Sequence, residues 1–234
     1  MASVKILERL ETGTFLRRIN RFMVEVELRG NKVLAHLPNS GRLHTVLVPQ
    51  ANVFLQSRRH NGRKSAYDLF AVDCLGVPVI VDTRFSTLAA KMAIEEKALP
   101  LLEDYQVVGE NVKVNHARLD FLLQRGDHRF FLEVKCVTQV VDNIAMFPDA
   151  PTTRGRKHLY ILLNFAQKGF DTGILFSVQR SDANAITPNW EIDPAFSKLL
   201  HKAVGKGVMV FTQMLIFQPP DAAELRPNVP ALQP

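Results

Sequence analysis

Residues 14 to 81 carry apolar residues in short alternating runs broken by turn residues, the period-two pattern of half-buried strands. The runs predict strands at 14–19, 22–28, 32–37, 52–56, 66–73 and 77–81, with turns at Arg29-Gly30-Asn31 and Leu75-Gly76. Many short strands in so short a stretch fit a small barrel. The period then changes. Phe85, Leu88, Ala89, Met92, Ala93 and Ile94 follow helical spacing over 85–99, ending before Pro100. Strands are expected near 105–108, 112–114, 118–124 and 129–136, then a helix at 154–170, a strand at 173–179, a helix at 194–204 and a last strand at 208–217. This mixture predicts an α/β sandwich. From Gln218 onward lie five of the thirteen prolines, the composition of an extended, mobile tail. The expected organisation is therefore a barrel domain (1–81), an α/β domain (82–218) and a Pro-rich tail (219–234).

Within the α/β segment, RLDFLLQ and RFFLEVKC flank Gly126-Asp127, which reads as the two-residue centre of a hairpin. Folding there places Leu123 opposite Phe130, Phe121 opposite Leu132 and Asp120 opposite Glu133. Alternation puts Lys135 on the face of Glu133, and Leu119, Phe121, Leu132 and Val134 on the reverse. Like charges directly across a strand pair repel, so the arrangement asks for a cation. Mg2+ or Mn2+ suits oxygen ligands, with Asp120 and Glu133 as metal ligands. Lys135 is then placed to orient a water or offset charge on a phosphate, which makes Asp120, Glu133 and Lys135 the candidate catalytic set. The same pattern also fits an edge hairpin whose acids splay into solvent.

Phe147-Pro148-Asp149-Ala150 is followed by Thr152 and by Arg154, Lys157 and His158. On a helix these last three share a face, suited to clamping a phosphate, with His158 able to move a proton. Asp149 reads either as a cap of that region or as a metal ligand. Upstream, Pro38-Asn39-Ser40-Gly41-Arg42 is a small turn able to offer backbone N–H groups to a phosphate, and an ordinary turn is the competing reading.

Taken in order, Pro38-Asn39-Ser40-Gly41, Arg118-Leu119-Asp120-Phe121, Glu133-Val134-Lys135 and the Phe147–His158 block resemble the sugar fermentation stimulation protein A (SfsA) family over roughly residues 8–218. The resemblance implies an N-terminal OB-like β-barrel followed by a C-terminal α/β domain similar to PD-(D/E)xK nucleases, with Asp120, Glu133 and Lys135 on the nuclease signature. It also implies DNA binding. One departure stands out. Family members tend to carry A-N-x-L-x-x-E-A-I in the helix before the hairpin. Here Thr87 replaces the Asn and Met92 the Glu, which removes a third carboxylate. Glu95 and Glu96 lie near the same helical face and could substitute, but a solvated helix surface accounts for them better than ligation does.

The net charge of +6 is unevenly placed: residues 1–81 hold 12 Lys/Arg against 6 Asp/Glu, and the remainder holds 17 of each. A domain gripping a polyphosphate accounts for such a bias. Arg58, Arg59, Arg63 and Lys64 form a basic loop expected to lie along DNA. Asn39, Ser40, Gly41, Arg42, Arg154, Lys157 and His158 are further DNA-binding candidates, with Phe22 and Tyr67 as possible base-stacking platforms. No apolar run reaches the ~18–20 residues of a membrane span, and the first residues lack a signal-peptide block, so a cytoplasmic protein without a membrane partner is expected. Cys74 and Cys136 match no zinc spacing and read as reduced thiols. The leading functional expectation is a DNA-binding protein with Mg2+-dependent phosphodiester hydrolysis. The alternatives are a non-catalytic DNA-binding regulator of sugar-utilisation genes and an enzyme acting on a sugar phosphate or other anion.

Overall fold

A computed structural model describes residues 2–5, 10–58, 65–114 and 116–227. A short strand, β1 (Ala2–Lys5), precedes the barrel strands β2 (Leu10–Asn20), β3 (Met23–Leu28), β4 (Asn31–His36), β5 (Asn52–Ser57) and β6 (Tyr67–Cys74). Strand β2 pairs with β3 and β5, β3 with β4, and β5 with β6; a parallel pairing of β4 with β6 closes the ring. The barrel interior is filled by the inward half of the alternating pattern, including Phe15, Val24, Val26, Leu37, Val53, Leu55 and Leu69. Strand β7 (Val77–Ile80) extends the sheet beside β6.

Asp82 then caps helix α1 (Thr83–Glu95) by accepting from the Arg84 N–H. There follow β8 (Gln106–Val114), β9 (Ala117–Arg125), β10 (His128–Val137), β11 (Gln139–Val141), β12 (Ile144–Phe147), α2 (Thr153–Ala166), β13 (Asp171–Val178), β14 (Ala185–Pro188), α3 (Pro194–Val204), β15 (Met209–Gln218) and β16 (Ala222–Pro227). A seven-stranded sheet has the order β1-β16-β15-β13-β10-β9-β8. Its centre, β10-β13-β15, is parallel. Parallel strands are buried on both faces, as the nearly unbroken burial of β13 shows. Helix α1 covers one face over Phe121, Phe130, Leu132 and Leu175, and α2 and α3 cover the other over Phe131, Ile174, Phe176 and Met214.

Barrel and sheet share a core. Phe217 of β15 meets Phe54 and Phe70 of the barrel edge-on, at 5.0 and 5.4 Å between ring centroids, and Phe70 meets Phe85 of α1 at 5.2 Å. Each such pair adds ~0.5–1.5 kcal/mol beyond its buried area. The link between the domains is thus a packed seam.

Several sequence expectations change. The strands expected at 105–108 and 112–114 are one strand, β8, with a register shift between Val107 and Gly109. Residues 222–227, expected in a mobile tail, form β16 between β15 and β1. Residues 2–5, assigned to the barrel domain, complete the sheet of the second domain. The small sheet β11-β12-β14 was not anticipated, because its strands are only three or four residues long. Leu119 joins the cluster on the α2 side while Phe121 lies in the cluster on the α1 side, where alternation predicts one face for both.

Candidate active site

The β9–β10 hairpin turns at Gly126, whose φ of 56° favours glycine. Its register pairs Leu123 with Phe130 and Phe121 with Leu132, as the sequence predicts. The ladder stops there. At the next position the Asp120 carboxylate takes over, and Oδ2 accepts the Val134 N–H at 2.7 Å. An acid is thereby held beside β10 in place of a backbone carbonyl.

Glu133 is 3% exposed. Its Oε1 accepts from Lys135 Nζ and from His158 Nδ1. Its Oε2 is buried and has no hydrogen-bond partner. Arg154 Nε lies 3.5 Å from His158 Nε2, the ring nitrogen turned away from Glu133. Burial alone raises the Glu133 carboxyl, but Lys135 and His158 together outweigh it and hold the group below its ordinary value. Asp120 behaves oppositely. Burial, reinforced by the neighbouring Glu133 charge, pushes its carboxyl up to about 6, against the pull of Lys135, the Val134 N–H and His158. Two acids thus differ in proton affinity because the cations are spent on one of them.

Helix α2 brings His158 to this point. Thr152 caps it by accepting the Gly155 N–H at 3.0 Å. Asp193, itself the cap of α3, accepts the Thr152 N–H at 2.7 Å and the Arg156 guanidinium at 2.8 Å. One buried carboxylate therefore fastens the starts of both helices. Lys157 reaches the His116 carbonyl at 3.0 Å and ties α2 to the turn before β9.

Asp120, Glu133, Lys135 and His158 come together as one cluster, with Arg154 exposed at its rim. Lys157 spends a donor on main chain rather than joining His158. Asp149 does not cap α2; Oδ2 accepts the Leu43 N–H at 2.9 Å, across the two domains. A Cβ on Gly41 would come within 2.7 Å of that same oxygen, so the close approach requires glycine there. Asn39 is buried, donating to the Val81 carbonyl and accepting from the Gly41 N–H at 2.8 Å. The Gly41 N–H, within the turn expected to offer donors to a phosphate, is therefore occupied internally, as is the N–H of the following Leu43. Ser40 and Arg42 are exposed.

Arg58 is not a free loop cation: Nε donates to buried Asp68 at 3.1 Å, alongside Arg84 at 2.7 Å and His36 at 3.2 Å. Arg59, Arg63 and Lys64 lie outside the described residues. Phe22 is 46% exposed with the Arg21 guanidinium 5.4 Å from its ring centroid, whereas Tyr67 packs against the barrel core. Met92 packs at the edge of the α1-side core, and Glu95 pairs with Lys91 on the surface. Among the described residues no group of three or more His, Cys, Asp and Glu gathers to hold a metal, so the protein offers two carboxylates. Sequence reading missed the Glu133–His158 bond and the Asp149–Leu43 tie, which join residues far apart in the chain. The Asp193-Pro194 pair is a local signal by which the α3 cap could be found, but it carries no information on the reach to Thr152.

The chain is an OB barrel joined to an α/β domain built on a seven-stranded sheet. Residues 16–81 match the family model of the SfsA N-terminal OB domain, and residues 84–220 that of the sugar fermentation stimulation protein RE domain. A sugar fermentation stimulation protein homolog of Chloroflexus aurantiacus is 41% identical over 202 residues, covering 86% of this chain and 78% of its own. One from Natranaerobius thermophilus is 38% identical, covering 87% of each. The structure of Pyrococcus furiosus SfsA in complex with Ca2+ superimposes with a TM-score of 0.92 at 28% identity, covering 98% of this chain and 99% of that one. The chain belongs to the sugar fermentation stimulation protein family. Among the described residues no helix is long and apolar enough to cross a membrane.

Proposed function

We propose that this chain binds DNA and hydrolyses phosphodiester bonds, with Asp120 and Glu133 holding a divalent metal ion, Mg2+ or Mn2+, and Lys135 acting beside them. The observation that carries the reading is Glu133 Oε2, a buried oxygen with no partner next to a second acid. An unpartnered buried carboxylate oxygen is costly in a folded protein, and a hard cation with oxygen preference is the group that satisfies it. Two carboxylates fit Mg2+, which keeps several waters. The Ca2+ in the P. furiosus relative supports a taste for such cations.

When bound, the metal polarises a phosphate oxygen and lowers the pKa of a coordinated water. Asp120 is held ready by the Val134 N–H. His158 and Lys135 occupy Oε1 of Glu133, which leaves Oε2 as the oxygen offered to the site. Lys135 Nζ, only one carboxylate away, serves to orient the attacking water and to offset charge that grows on the phosphate. Arg154, exposed at the rim, is the cation for the neighbouring phosphate.

The second reading is a non-catalytic DNA-binding regulator, favoured by Met92 lying in apolar packing where relatives tend to carry an acid. Incubation of single- and double-stranded DNA with wild type, Lys135→Ala and Met92→Glu in Mg2+ or Mn2+ separates the two. Cleavage by wild type and its loss in Lys135→Ala supports hydrolysis. Binding without cleavage, unchanged by Met92→Glu, leaves the regulator.

A further inference from the structure

A cavity of about 550 Å3 opens on the barrel between β2 and the segment 42–49, away from the carboxylate cluster. Leu16, Leu47 and Pro49 give it an apolar wall; Arg17, Arg18, Arg42 and His44 also line it, and no acid does. The cations are not equivalent. Arg17 is paired with Glu25 at 2.9 Å. Arg18 spends its donors on main chain, reaching the carbonyls of Gly41 and Arg42 at 2.8 Å and of Arg21 at 2.7 Å. Arg42 and His44 are exposed and have no hydrogen-bond or ion-pair partner among the described residues.

The wall bearing them is preorganised. Arg18 holds its carbonyls from one side, Asp149 takes the Leu43 N–H from the other, and Asn39 pins Gly41. Leu43 between them has φ 56°, a left-handed conformation that a leucine adopts only when its surroundings impose it. That turn lets Arg42 and His44, two residues apart, border the same cavity. An apolar wall facing two unspent cationic or hydrogen-bonding side chains matches a planar base carrying a phosphate, and the volume suits one nucleotide unit. A paired base cannot leave its stack to enter without paying for unpairing.

We propose that this cavity receives one unpaired nucleotide of a DNA strand, its phosphate on Arg42 and His44 and its base against Leu16, Leu47 and Pro49. The proposal rests on the DNA reading above and adds a preference for single-stranded or locally opened substrate. The cavity wall is bonded through Leu43 to Asp149, the residue that leads into α2 and its His158, so a strand seated there lies at the domain junction.

The test compares the full-length protein with the Arg42→Ala/His44→Ala variant, using a short labelled oligodeoxythymidylate, a duplex of equal length and 5′-dTMP as probes. Neither side chain supports the loop, whose bonds to Arg18 and Asp149 use backbone atoms, so the thermal midpoint stays unchanged. Single-strand affinity is expected to fall about tenfold, the scale of one base contact, with duplex affinity held within about twofold. 5′-dTMP competes with the oligonucleotide on wild type only at far higher concentration. Equal losses on both DNA forms overturn the proposal in favour of general electrostatics, and no loss overturns it outright. Competition by 5′-dTMP at oligonucleotide concentrations overturns the strand assignment. Wild type that binds neither DNA form removes the DNA reading and this one with it. Absent cleavage with the single-strand loss intact removes only the hydrolytic reading.

Discussion

The Val134 N–H donates to Asp120 Oδ2 at 2.7 Å, at the point where the β9–β10 ladder ends. A side chain has replaced a main-chain acceptor, and the replacement anchors an acid that the fold would otherwise push toward water. The consequences for stability, pH response and metal binding are separable.

Asp120→Asn keeps an acceptor for Val134 and removes a buried charge. Burial raises the Asp120 carboxyl from 3.8 to about 6, which corresponds to a strain of up to ~3 kcal/mol in the ionised, metal-free protein. In chelator at neutral pH the variant should therefore melt higher than wild type, while calorimetry shows its Mn2+ binding lost. A variant that melts lower and still binds Mn2+ contradicts the assignment.

The sign of the pH effect follows from the same group. The folded state holds the Asp120 proton more tightly than the unfolded chain does, so this residue's penalty is absent below 3.8, grows as pH rises, and is complete above about 6. Metal must displace that proton in acid. Mn2+ affinity is expected to level off above about 6 and to fall toward tenfold per unit below it, measured by titration calorimetry across that range. Affinity independent of pH removes Asp120 from the ligand set.

His158→Ala leaves Glu133 Oε1 with Lys135 alone. Loss of a residue that orients a metal-binding carboxylate typically costs ~10–100-fold in metal affinity, and that loss is expected here. Circular dichroism reports whether α2 stays docked. Full affinity in a folded variant would show that Lys135 suffices.

Lys135→Ala should reduce any cleavage by at least ~100-fold, the scale of removing one transition-state donor, with DNA affinity within about twofold of wild type. Single-turnover cleavage and fluorescence anisotropy on the same samples read the two effects. Parallel loss of binding and cleavage would make Lys135 a general DNA contact.

Arg58 and its sequence neighbours should part company. Neutralising Arg59, Arg63 and Lys64 together is expected to lower the slope of log affinity against log salt by up to ~2.7, about 0.9 for each phosphate contact. Arg58→Ala instead removes a partner of buried Asp68 and costs ~1–3 kcal/mol of stability with little change in that slope. A flatter slope from Arg58→Ala would return it to the DNA surface.

Local information accounts for a specific part of this architecture. The register of the Asp120–Glu133 hairpin was legible because turn residues and side-chain alternation act over a few residues, and Gly126-Asp127 leaves one centre about which RLDFLLQ and RFFLEVKC match. The barrel strands and α3 were readable for the same reason: each has a period set by its own backbone. Residues 222–227 were misread because a polar, Pro-flanked segment becomes a strand only when a neighbour such as β15 supplies the ladder.

The sequence by itself determined which two acids lie at the end of one hairpin, which lysine follows them and where the positive charge accumulates. Tertiary structure decided what each of those groups is free to do. Folding spent Arg58 on Asp68, Arg18 on the loop carbonyls and Asp149 on Leu43, and it placed His158 so that one oxygen of Glu133 is saturated and the other is not. Buried polar groups must find partners wherever the packed chain brings them, and those partners lie from 10 to 106 residues away along the chain, beyond the reach of any local pattern.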